Sequence, residues 1–124
     1  MKKLFLFLCV LGLASCYYDN EEELYPSTGV GGGCDTTNVG YAAVIQPIFN
    51  QYCAVSGCHD KTTRSSNYDF SSYSGAMTSV NNNRLLGTIM HQAGFSQMPQ
   101  GMSKLDDCTI AKIKAWVNAG AKND

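Results

Sequence analysis

The segment Cys53-Ala54-Val55-Ser56-Gly57-Cys58-His59 holds the residues of this chain best suited to chemistry. Two thiols with an imidazole directly after the second are the set that covalent haem attachment uses. Each thiol adds to a vinyl group as a thioether, and the tethered ring then lies where the histidine reaches its metal from one face. The usual spacing is C-x-x-C-H, whereas four residues separate Cys53 from Cys58. The same side chains could instead form a Cys53–Cys58 disulfide or half of a zinc site. A second group lies downstream, in Gly94-Phe95-Ser96-Gln97-Met98-Pro99-Gln100-Gly101-Met102. A thioether is a soft ligand suited to haem iron, and a His/Met pair raises the reduction potential relative to two histidines. Met98 precedes Pro99, whose ring stiffens the backbone. Met102 and His91 are further candidates for that position, while Met77 and Met90 read as core filling.

Helices must position these groups. Val44, Ile45, Ile48, Phe49 and Tyr52 recur at helical spacing, which predicts a helix over 40–52 running straight into Cys53, with Pro47 starting or kinking its regular part. Ser56-Gly57 supplies turn chemistry between the two thiols. Residues 60–67 are polar and read as loop, followed by a short helix over 72–80 and a breaker at Asn81-Asn82-Asn83. Leu85, Leu86, Ile89 and Met90 predict another short helix within 84–91. The last helix has Asp106 as N-cap, Asp107 in its first turn, an apolar stripe of Ile110, Ile113, Trp116 and Val117, and Gly120 as its stop. It is placed to pack on the first.

The chain opens with Met1-Lys2-Lys3, an apolar run from Leu4 to Leu13, and Ala14-Ser15-Cys16. This is the layout of a secretory signal, with an apolar run too short to span a bilayer as a helix. Leu13-Ala14-Ser15-Cys16 resembles a bacterial lipobox, which makes 1–15 a lipoprotein signal peptide and Cys16 the lipidated residue. Several acyl chains on Cys16 would anchor the protein stably. Residues 16–33 are acidic, then Gly-rich, and read as a flexible tether. Tyr17 and the acids behind Cys16 resemble signals that direct lipoproteins to the outer membrane or the cell surface, so the domain over 34–124 is expected to face the periplasm or the outside. In an oxidising compartment the two remaining cysteines, Cys34 and Cys108, most simply pair. The rival arrangement adds a Cys53–Cys58 bridge. Of the nine Lys and Arg, Lys2 and Lys3 belong to the signal, and four of the ten acids lie in the tether, so the domain is nearly neutral. It carries no basic footprint for nucleic acid.

Taken in order, the helix with Val44, Ile45, Gln46, Pro47 and Ile48, the two cysteines with His59, Met98-Pro99 with Gly101, and Leu105 through Trp116 to Gly120-Ala121 resemble the small single-haem c-type cytochromes with His/Met ligation. The resemblance spans roughly 34–123 and departs from the family in the longer spacing between the cysteines. It implies an all-α, cytochrome c-like fold. About four short helices would surround one covalently bound haem c, with the first and last helices in contact. It also implies Cys53 and Cys58 as attachment residues, His59 as proximal and Met98 as distal iron ligand. Phe49, Phe70, Tyr73, Leu85, Leu86, Ile113 and Trp116 are expected to enclose the ring.

The expected function is one-electron transfer by a membrane-tethered monomer exchanging electrons with redox proteins, an electron carrier rather than an enzyme. Two alternatives stay open. One is a haem-based gas sensor or weak peroxidase, should no side chain fill the distal position. The other is a haem-free, disulfide-stabilised interaction lipoprotein. With two histidines and no serine in a nucleophile signature, the sequence offers no hydrolytic constellation.

Overall fold

A computed structural model of the chain describes residues 34–124, and the expected signal segment, tether and lipidated Cys16 lie outside the described residues. The described part is all-α, with four α-helices and no strand among these residues: α1 (Gln46–Tyr52), α2 (Tyr73–Asn81), α3 (Leu85–Ile89) and α4 (Asp107–Asn118). No helix among them is long and apolar enough to cross a membrane.

The helix predicted over 40–52 divides in two. Tyr41–Ile45 forms a wide π-type turn, with the Ile45 N–H on the Gly40 carbonyl at 3.3 Å, and α1 follows. Pro47 falls in the first turn of α1, where its missing N–H costs nothing. The free N–H groups at the start of the wide turn are met from the other end of the chain. The Tyr41 N–H donates to the Asp124 carboxylate at 2.9 Å and the Ala42 N–H to the Asp124 carbonyl at 2.8 Å.

Side-chain caps set α2 and α4. Ser72 Oγ accepts from the Gly75 N–H at 3.3 Å to start α2, and Asp106 accepts from the Thr109 N–H at 2.9 Å to start α4. The Thr109 hydroxyl and N–H on that cap hold the Asp106 carboxyl below its ordinary value. Beyond α4, Gly120 adopts a φ of 94°, a left-handed stop that glycine takes without penalty.

The core sits between the first turns of the described domain and its last helix. Trp116, Phe49, Ile45 and Ile113 are its largest fully buried side chains. The Tyr41 and Phe49 rings lie 5.6 and 6.0 Å from the Trp116 ring, so the first turns pack directly on α4. Trp116 satisfies its indole N–H on the Lys122 carbonyl at 2.9 Å, and Tyr73 donates its hydroxyl to the Ala121 carbonyl at 2.8 Å. A disulfide joins Cys34 to Cys108 in the first turn of α4, with Cα atoms 5.2 Å apart. It fastens the entry of the domain to its last helix.

Candidate functional site

A cavity of about 450 Å³ opens on the side of the fold where α1 ends. Its volume lies within the range of small-molecule and cofactor pockets. Cys53, Cys58 and His59 stand on its wall together with Met98 and Met102. Phe70, Leu85, Ile89 and Leu105 make its apolar floor, while Arg84 and Ser96 are among its polar residues.

The thiol wall is built by backbone closure. The Cys53 and Ala54 N–H groups both donate to the Phe49 carbonyl at 2.8 Å, which ends α1 and turns the chain. The Cys58 N–H closes on the Val55 carbonyl at 2.9 Å, and the His59 N–H returns to the Cys53 carbonyl at 3.2 Å. The longer spacing is thus taken up as a looped turn, with Gly57 at a φ of 84°. Asp60 locks the far side, accepting from the N–H groups of Gly57, Thr62 and Thr63 at 3.0, 2.8 and 3.1 Å. Hydrogen bonding from Thr63, above all, and from these other N–H groups pulls its carboxyl down to about 2.

Cys53 and Cys58 are free thiols. They differ in setting. Cys58 is exposed, whereas burial, with a smaller contribution from Cys58, pushes the Cys53 thiol up to about 12. Among the described residues, no group of three or more His, Cys, Asp and Glu side chains converges, so the half zinc site finds no partner there.

His59 is oriented by one hydrogen bond and two rings. Its Nδ1 lies 3.0 Å from the Ser65 carbonyl. A ring nitrogen facing a carbonyl oxygen must carry the hydrogen, which leaves Nε2 with a free lone pair. The Phe70 and Tyr68 rings meet the imidazole edge to face at 5.4 and 6.2 Å. The Ser65 carbonyl is itself presented by an unusual backbone. Arg64, Ser66 and Asn67 all have left-handed φ values, of 46°, 54° and 66°, around a single 3₁₀ turn (Ser65–Asn67). Such residues persist only where the surroundings hold them.

α3 also presents Leu85, Thr88 and Ile89, neighbours on one helical face, to the cavity. The Met98 N–H donates to the Thr88 carbonyl at 3.1 Å, which ties the methionine loop to that helix. Met98 is half-buried, while Met102 is 65% exposed on the same wall. His91 is not part of the cavity wall, and its ring Nε2 lies 3.0 Å from the Met98 carbonyl. Arg84 lies on the cavity wall with its guanidinium 5.9 Å from the Phe95 ring centroid.

The apolar residues expected around the cavity separate into two sets. Phe70 and Leu85 line it, but Phe49, Tyr73, Leu86, Ile113 and Trp116 do not. Phe49, Ile113 and Trp116 fill the core between the first turns and α4 instead. Sequence reasoning also missed the Ser65 and Thr88 carbonyls. Every residue carries a backbone carbonyl, so no residue type announced them.

No family model, curated protein or solved structure matches this chain. The chemistry of the cavity wall therefore carries the functional reading by itself.

Proposed function

We propose that the protein is a single-haem c-type cytochrome that transfers one electron at a time, on a domain tethered through lipid at Cys16 to the outer membrane. One observation carries this reading. Segments far apart in the chain put two free thiols, an imidazole with an available lone pair and two thioethers on the wall of one largely apolar cavity. That donor set fits a flat apolar ring with a central iron better than it fits a zinc ion or a hydrolytic centre.

When bound, the group would supply a reversible one-electron couple at its iron. Cys53 and Cys58 would hold the ring as thioethers. His59 Nε2 would bind the iron, with the Ser65 carbonyl keeping the imidazole oriented and raising its basicity. Met98 would bind it through its thioether sulfur, and Phe70, Leu85 and Ile89 would exclude water from the bound group. With His59 and Met98 both holding the iron, the protein's task would be to set potential and electron access for redox partners.

The test uses protein made in a host with a haem maturation system that accepts this cysteine spacing. Oxidised and reduced absorbance spectra are recorded, then an intact mass after acid–organic extraction. A low-spin spectrum with a Met–iron charge-transfer band and retained haem mass is expected, as is loss of covalent haem in Cys53→Ser/Cys58→Ser. A colourless protein whose mass shows only lost thiol hydrogens would leave the haem-free interaction lipoprotein as the reading.

A further inference from the structure

The methionine loop is held at both peptide groups flanking the Met98 Cα, by α3 and by the residue that follows its C-cap. On one side the Met98 N–H donates to the Thr88 carbonyl at 3.1 Å. On the other, the Met98 carbonyl lies 3.0 Å from His91 Nε2. A carbonyl can only accept, so His91 carries its hydrogen on Nε2. His91 sits just past the end of α3 at a φ of 54°, a conformation that a non-glycine side chain enters at a cost. Its own N–H returns to Thr88, at 3.3 Å from the same carbonyl that receives Met98. Thr88 and Met98 both face the cavity, and His91 stands behind them.

We infer that His91 is a positioning residue that holds the Met98 sulfur where it would bind the iron, and is not itself an iron ligand. This rests on the haem reading of the cavity. A thioether is a neutral, weak ligand, and whether it stays bound depends on how firmly its backbone is placed. The loop that carries it contains Gly94, Pro99 and Gly101 and has a second thioether, the exposed Met102, on the same wall. Pinning both Met98 peptide groups decides between the two sulfurs. His91 Nε2 is committed to the Met98 carbonyl, and the ring lies off the cavity wall, so His91 as sixth ligand would require the clamp to open.

Haem-loaded wild type, His91→Asn and His91→Gln are compared. Asparagine accepts the left-handed backbone but is too short to reach the carbonyl, whereas glutamine places an amide N–H near the position of Nε2. Three quantities are read: the Met–iron charge-transfer band, the reduction potential, and hydrogen-exchange protection of the Met98 amide. In His91→Asn the band should weaken, the potential should fall, and Met98 protection should drop about fivefold, the effect of one lost neutral hydrogen bond. His91→Gln should restore all three. If wild type shows the band and His91→Asn leaves band, potential and protection unchanged, the clamp is wrong and the haem reading stands. If wild type takes up no haem, both fall together. If Met98→Ala remains low-spin while both His91 variants do not, His91 is a ligand and the inference is overturned. The nitrogen chemical shifts of the wild-type His91 ring decide the matter without any variant, because a proton on Nδ1 with Nε2 bare is incompatible with the clamp.

Discussion

Gly75→Ala should destabilise the protein, although local helix physics alone demands the opposite. Gly75 lies in the first turn of α2, and replacing a helical glycine by alanine ordinarily stabilises by up to about 1 kcal/mol. Here a Cβ would overlap the Asp69 carbonyl oxygen and would lie 2.8 Å from the Asp69 Cβ and 2.9 Å from its carbonyl carbon. The obstacle is main chain, so no rotamer relieves it. Reaching ordinary contact requires a displacement of more than about 1 Å. Overpacking of this kind costs about 3 kcal/mol at the upper end of its usual range. Set against the propensity gain, the net loss is about 2 kcal/mol. The displacement also has a direction that matters to the site. Phe70 follows Asp69, its N–H donates to the His59 carbonyl at 2.9 Å, and its ring contacts the imidazole. Urea unfolding of wild type and Gly75→Ala gives the comparison, with Thr78→Ala, an exposed position on the same helix, as the control. The midpoint of Gly75→Ala should fall by about 1–2 M at the urea sensitivity usual for small domains, with the control nearly unmoved. A Gly75→Ala protein as stable as wild type, or more so, would refute the close approach of α2 to the 69–72 segment.

The Cys34–Cys108 bridge spans a sequence separation of 74, for which loop-closure entropy sets a ceiling of about 4.5 kcal/mol. Cys34→Ser/Cys108→Ser should therefore lose about 2–4.5 kcal/mol in chemical denaturation, and a loss below about 1 kcal/mol would contradict a bridge that restricts the unfolded chain. In protein exported without haem maturation, Cys58 should be alkylated at neutral pH well before Cys53. A thiol pushed from 9.0 to about 12 carries about a thousandfold less thiolate, and equal labelling by mass spectrometry would contradict the burial of Cys53. In that haem-free protein, where Cys53 keeps its thiol, the same shift sets a pH dependence. The folded state keeps the Cys53 proton more tightly than the unfolded one, so its contribution, at most ~4 kcal/mol, is complete below about pH 9 and is lost as pH rises from there towards 12. Cys53→Ser should remove that alkaline loss in denaturation measured across this range.

The amino-acid sequence by itself determined what is decided within a few residues. Ser72 and Asp106 cap their helices through bonds to the N–H three residues on, and Gly120 ends α4 with its own φ, so composition and spacing were enough to locate these boundaries. The thiols and imidazole of Cys53, Cys58 and His59 fall within seven residues, so their gathering at one place was legible from their order alone. The Cys34–Cys108 pair followed from sorting the six cysteines by role and compartment. Tertiary structure alone decided which of two apolar surroundings each hydrophobic residue meets. Periodicity turns Phe49, Leu85 and Trp116 inward to one core, and the chain path decides that Leu85, together with Phe70, also lines the cavity while Phe49 and Trp116 do not. It also decided the contacts made through backbone oxygens: Ser65 on His59, Thr88 and His91 around Met98, Asp69 against Gly75, and the Asp124 groups on the first turn. A carbonyl is the same on every residue, and its partner is chosen by where the folded chain passes, so these contacts are not written in residue type.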